Sequence, residues 1–145
     1  MKLRLVVVLG IVGLLGADDK DDAKKALAKL DGTWRAESMA VDGNKLGADD
    51  VKAYSVTIKD GKYSAKMGND VYNEGTLKID PAKKPGTLDV MPSKGDNEGK
   101  TMQGIFELDG DTLKICLSQP DGDRPKEFAS EAGTGRLYVV YKRQK

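Results

Sequence analysis

From residue 32 onward, apolar and polar residues alternate along most of the chain. Tyr54, Val56 and Ile58 alternate with Ser55, Thr57 and Lys59, and Tyr63, Ala65 and Met67 alternate with Lys62, Ser64 and Lys66. A period of two puts each set on one face of a pleated strand. Asp60-Gly61 lies between these runs and is a two-residue turn whose twist suits a hairpin. A second hairpin follows the same grammar. Met102, Gly104, Phe106 and Leu108 precede the turn, read at Asp109-Gly110, and Leu113, Ile115 and Leu117 follow it. Further strands are predicted at about 33–41, 71–79, 86–91 and 136–143. The last, "RLYVVYKR", is rich in β-branched and aromatic residues. Pro81, Pro85 and Gly86 make "DPAKKPG" a turn and not a helix. Residues 42–52 and 118–135 are longer loops, and "LGADDVKA" in the first suits one helical turn.

Before residue 32 the period differs. In "DDKDDAKKALAKL", residues 18–30, Ala23, Ala26, Leu27 and Leu30 recur at helical spacing. Acids lead and lysines follow, which suits the helix dipole. A helix this short needs something to pack on. Residues 1–17 read differently again. A basic Met1-Lys2-Leu3-Arg4 start, an apolar run from Leu5 to Leu15, and Gly16-Ala17 before Asp18-Asp19 describe a secretory signal peptide with Ala17 the last residue removed. The run is shorter than the roughly 20 residues of a membrane span; an uncleaved anchor is the alternative. The predicted organisation is a signal peptide (1–17), a helix or linker (18–31) and one β-domain (32–145), in a protein that is secreted or held in the periplasm or cell envelope.

Composition narrows the chemistry. Cleavage removes Lys2 and Arg4 and no acid, so the remaining chain carries 22 basic and 23 acidic residues, a net charge of −1. The signs are interspersed, with no basic stripe for nucleic acid and no polybasic patch for anionic lipid. Cys116 is the sole cysteine. It has no intramolecular disulfide partner, so an exported domain of this size relies on its hydrophobic core. Histidine is absent, which excludes His-based triads, His-ligated metals and imidazole pH switching. A single thiol excludes thiolate zinc and iron–sulfur centres. No cofactor and no resident metal is expected.

About eight short strands joined mostly by tight turns must bury one face and dispose of two edges. Closure into an antiparallel up-and-down barrel does both, and eight strands enclose an interior that side chains fill or that holds one small ligand. A two-sheet sandwich is the rival, but it wants longer crossover loops. Gly32-Thr33-Trp34 at the start of the first strand, with Arg143 at the end of the last, resembles the lipocalin-type (calycin) pattern. That resemblance implies a Trp at the closed end of an eight-stranded barrel and an Arg lying across its indole, a cation–π contact of about 0.5–2 kcal/mol. Over nearly all of residues 18–145, "LDGTWR", "GTLKIDPAKKPGTLDV", "GKTMQGIFELDGDTLKIC", "RPKEF" and a terminal "YKR" resemble a paralogous family of exported planctomycete domains without an assigned activity. The resemblance implies a secreted or envelope-associated β-domain.

The expected function is therefore non-enzymatic. A small, partly apolar ligand would occupy the interior, lined by Tyr54, Val56, Ile58, Tyr63, Met67, Phe106, Ile115 and Val139. Gly32, Trp34 and Arg143 would close the barrel. Arg124 and Phe128 would anchor the long loop, with Arg124 as an anion contact at the mouth the alternative. Cys116 alternates with Ile115 and Leu117, so it would face outward or lie under the 118–135 loop. A solid barrel acting through its outer surface is the second reading. A carboxylate enzyme using Asp80 and Asp89, or calcium at Asp109-Gly110-Asp111 or Asp121-Gly122-Asp123, is the third. A cavity of about 300 Å³ or more separates the first reading from the second.

Overall fold

A computed structural model of the protein describes residues 21–145; the signal-peptide assignment at 1–17 lies outside the described residues. Residues 21–30 form helix α1. The elements that follow are β1 (Gly32–Val41), β2 (Asn44–Lys45), α2 (Ala48–Lys52), β3 (Tyr54–Lys59), β4 (Lys62–Met67), β5 (Asp70–Asp80), β6 (Gly86–Lys94), β7 (Met102–Asp109), β8 (Thr112–Leu117) and β9 (Leu137–Arg143). Sequence neighbours pair antiparallel from β3 to β9, and β1 pairs with both β3 and β9. The chain is thus a closed eight-stranded up-and-down β-barrel, with β2 a short addition to the far half of β1. No helix among the described residues is long and apolar enough to cross a membrane.

Closure follows from the length of β1. Its residues 32–35 pair with β3, and 34–41 pair with β9. The register between β1 and β9 skips Glu37. This bulge shifts the inward phase by one, so Trp34, Ala36 and then Met39 are buried. A bulge also bends the strand and increases its twist. Past Arg35, β1 leaves β3, and α2 sits beside the gap. Val51 of α2 packs with Ala36, Met39 and Val139 in a small cluster. The main cluster fills the barrel around Trp34, Ile58, Leu77, Leu88 and Leu113.

The first hairpin turn is Asp60-Gly61, both with positive φ (51° and 77°), between the paired Lys59 and Lys62. That is the geometry of a type I′ turn. The second corrects the sequence reading by one residue. Asp109 pairs with Thr112, so the turn is Gly110-Asp111, with Gly110 at φ 60°. A glycine in the first central position with positive φ suits the type II′ alternative, which also matches strand twist.

Candidate functional site

The strand ends at the α1 side of the barrel are shut. Trp34 is fully buried, and its Nε1 donates to the Leu30 carbonyl at 2.9 Å. The guanidinium of Arg143 lies 4.2 Å from the indole centroid. It donates to the carbonyls of Asp31 (2.7 Å) and Lys29 (2.9 Å), while Nε faces Asp111 Oδ1 at 3.4 Å. The last carbonyls of a helix lack intrahelical partners, and a cation there also meets the negative end of the dipole. Trp34 and Arg143 therefore do two things. They plug the barrel and terminate α1, so that Leu30 is buried against the plug. Gly32, at φ 136°, leaves room: a Cβ there would come within 3.0 Å of Arg143 Nη1.

The 118–136 connection is pinned along the barrel wall. Arg124 donates to the carbonyls of Gly104 (2.8 Å) and Leu88 (3.1 Å) and pairs with Asp89 at 2.8 Å. Pro125 is buried, and the Phe128 ring packs against Tyr138 with centroids 6.1 Å apart. Cys116 lies beneath this segment, and its thiol donates to the Ala129 carbonyl at 3.3 Å. Burial pushes that thiol's pKa up. Asp89 thus serves Arg124, and Asp80 accepts from the Ala82 amide at 3.1 Å. Among the described residues, no three acidic, His or Cys side chains converge as metal ligands.

A cavity of about 140 Å³ occupies the half of the barrel away from α1. Val56, Ile58, Tyr63, Ile115 and Val139 line it, with Ala65, Leu77, Leu88, Val90, Met102, Leu117 and Leu137. Tyr72, Asn73 and Tyr141 complete the lining, and among the described residues no charged side chain contributes to it.

Three of the expected lining residues lie elsewhere. Met67 is 49% exposed, being the last residue of β4, at the open end of the strand. Tyr54 stands at the rim, edge-on to Tyr72 with centroids 5.8 Å apart. Phe106 is buried in the main core and packs over Gly86, its cross-strand partner; a Cβ on Gly86 would meet the ring at 2.6 Å.

Tyr141 shares its face of β9 with Val139, so alternation alone identifies it. Tyr72 is different. The register between β4 and β5 runs from Ala65↔Asn73 to Lys66↔Val71 and skips it. The bulge turns both Tyr72 and Asn73 to the cavity, against the parity of the strand.

Tyrosine hydroxyls supply the polarity. Tyr63 donates to Asn73 Oδ1 at 2.6 Å, and Asn73 Nδ2 reaches the Asp96 carbonyl at 3.4 Å. Burial, and to a lesser extent Tyr72, pushes the Tyr63 pKa to about 12. Burial raises Tyr72 and Tyr141 in the same direction, with smaller contributions from Tyr54 and Tyr72 respectively. These phenols stay protonated at any physiological pH.

A larger groove of about 690 Å³ runs outside the barrel between α1, the 81–86 turn and the loop. Phe106, Phe128, Pro81 and Pro85 form most of its apolar part, and Lys29, Lys83, Lys84 and Lys126, with Glu107, its charged part.

No family model, no curated protein and no solved structure matches the chain.

Proposed function

We propose that this is an exported, non-enzymatic barrel domain that holds a small, partly apolar molecule in its interior. The observation that carries the reading is the cavity of about 140 Å³, apolar over most of its wall, in the half of the barrel that α1 does not plug. Native interiors rarely keep voids larger than a water molecule, and an apolar cavity of about 150 Å³ is large enough for benzene. The volume falls short of the roughly 300 Å³ expected from the sequence for a ligand site, so the reading holds only for an occupant about the size of benzene. The signal-like start and the resemblance to exported planctomycete domains support export. Native mass spectrometry of the protein from its own host tests the interior. A retained small molecule is expected. A barrel that is empty at every protein concentration and takes up no added benzene removes the reading. N-terminal sequencing of the same material tests export, with Asp18 the expected first residue.

The modest cavity and the lysine-lined groove favour a second reading, an envelope module that works through its outer surface. Reversing Lys83, Lys84 and Lys126 to Glu should then release the protein from the envelope fraction. Under the first reading its retention is unchanged.

A further inference from the structure

We propose that the interior ligand is an uncharged molecule with an apolar body and one hydrogen-bonding head, and that the hydroxyls of Tyr141 and Tyr72 hold that head. The proposal rests on the reading of the interior as a binding site and adds the chemistry of what binds.

Charge is excluded first. Among the described residues the lining offers no Lys, Arg, Asp or Glu. A carboxylate or ammonium entering it would lose its hydration and find no opposite charge, which costs far more than the contact returns. A purely apolar occupant is disfavoured by the hydroxyls. Tyr63 is occupied, since it donates to Asn73. Asn73 in turn is committed to Tyr63 and to the Asp96 carbonyl. Tyr141 and Tyr72 have no side-chain hydrogen bond among the described residues. No buried polar side-chain atom there is sealed away without a partner, so the Tyr141 hydroxyl, on a largely buried ring, opens on the cavity. Water entering the cavity therefore reaches that hydroxyl, and an occupant that displaces this water without replacing its hydrogen bond loses affinity. A ligand oxygen would replace it.

Position reinforces this. Tyr72 reaches the cavity only because the β5 bulge re-aims it. It is 45% exposed and edge-on to Tyr54, so it stands at the rim, while Val56, Ile58 and Leu77 offer an apolar wall. A phenol donates and accepts, so an alcohol, phenol, ketone or amide head is suited. The protonated state of both tyrosines, favoured by burial, keeps their donors available.

The test compares three probes of one shape, benzene, phenol and benzoate, by NMR titration of the protein isolated from its host at pH 7. Phenol should bind about tenfold more tightly than benzene, the worth of one net hydrogen bond. Benzoate should bind at least about tenfold more weakly than phenol. Tyr141→Phe keeps the ring and removes the oxygen; phenol should fall to within about twofold of benzene, whose affinity is kept. Tyr72→Phe, at the exposed rim, should reduce the phenol preference without risk to the core.

Phenol no tighter than benzene, or benzoate as tight as phenol, overturns the head-group assignment and leaves the interior site standing. An undiminished phenol preference in both variants overturns the role of the tyrosines. Failure of all three probes to bind overturns the interior site and this inference together.

Discussion

At the scale of single residues, the contact that decides most is Arg143 on Trp34. The guanidinium covers the indole and supplies donors to two carbonyls at the end of α1. Arg143→Ala removes the cation–π contact and leaves those carbonyls without their charged donor. Equilibrium urea unfolding should show a loss of about 2–4 kcal/mol. Arg143→Lys should recover less than half, because an ammonium cannot span both carbonyls and stack at once. A loss within about 0.5 kcal/mol, as for an ordinary surface residue, would refute the assigned role. Gly32 belongs to the same unit. Its positive φ strains any other residue, and an added Cβ would crowd Arg143 Nη1 at 3.0 Å. Trp34 and Arg143, at the two ends of the β-region, are paired in the sequence reading through their resemblance to the lipocalin-type pattern. The helix carbonyls they satisfy could not be singled out there, since nothing in the order of residues says where α1 docks.

At the scale of elements, hairpins were legible and bulges were not. Alternation and Asp-Gly pairs locate β3–β4 and β7–β8, although pairing places the second turn at Gly110-Asp111. β2 and the bulges at Glu37 and Tyr72 leave no comparable mark, because a bulge is a property of two strands in register. The Tyr72 bulge is what made the cavity lining hard to read. The loop of residues 118–136 is an element of its own, fastened by Arg124. Arg124→Ala should cost about 1.5–3 kcal/mol, the range for charged hydrogen bonds. It should also speed proteolysis between β8 and β9 and expose Cys116 to a thiol reagent. Unchanged cleavage and a thiol still inert would mean that Pro125 and Phe128 hold the loop without it. On β4, Ala65 lines the cavity. Ala65→Val should occupy part of the void and raise stability by about 0.5–1 kcal/mol, while weakening benzene binding. Stability lost and benzene binding kept would show that a larger side chain at position 65 does not enter the void.

At the scale of the whole molecule, the closed sheet and its buried phenols set the response to pH. The Tyr63 pKa is about 12 in the folded protein against 10.0 for the free side chain, and Tyr72 and Tyr141 are shifted the same way. The folded state therefore holds these protons more tightly than the unfolded chain does. Their contribution to stability is whole below pH 10 and is lost as pH rises from about 10 to about 12. Urea midpoints measured at pH 9, 10.5 and 11.5 should fall across that window, and Tyr63→Phe should flatten the fall. An equally steep decline in the variant would place the titrating group elsewhere. With histidine absent, no imidazole bends the profile near neutrality. The sequence by itself determined the strand-rich class, the hairpins and the chemistries that are excluded, while closure, expected there against a rival sandwich, was decided by the pairing of β1 with β9. Class, hairpins and exclusions follow from local period, turn residues and residue inventory, which one segment at a time can express. The tertiary structure alone decided how much of the interior stays empty, that Tyr72 turns into it, and that Phe106 and Met67 do not. These depend on register and on volumes contributed by strands far apart in the chain, and a void is the difference between what all of them enclose and what all of them fill.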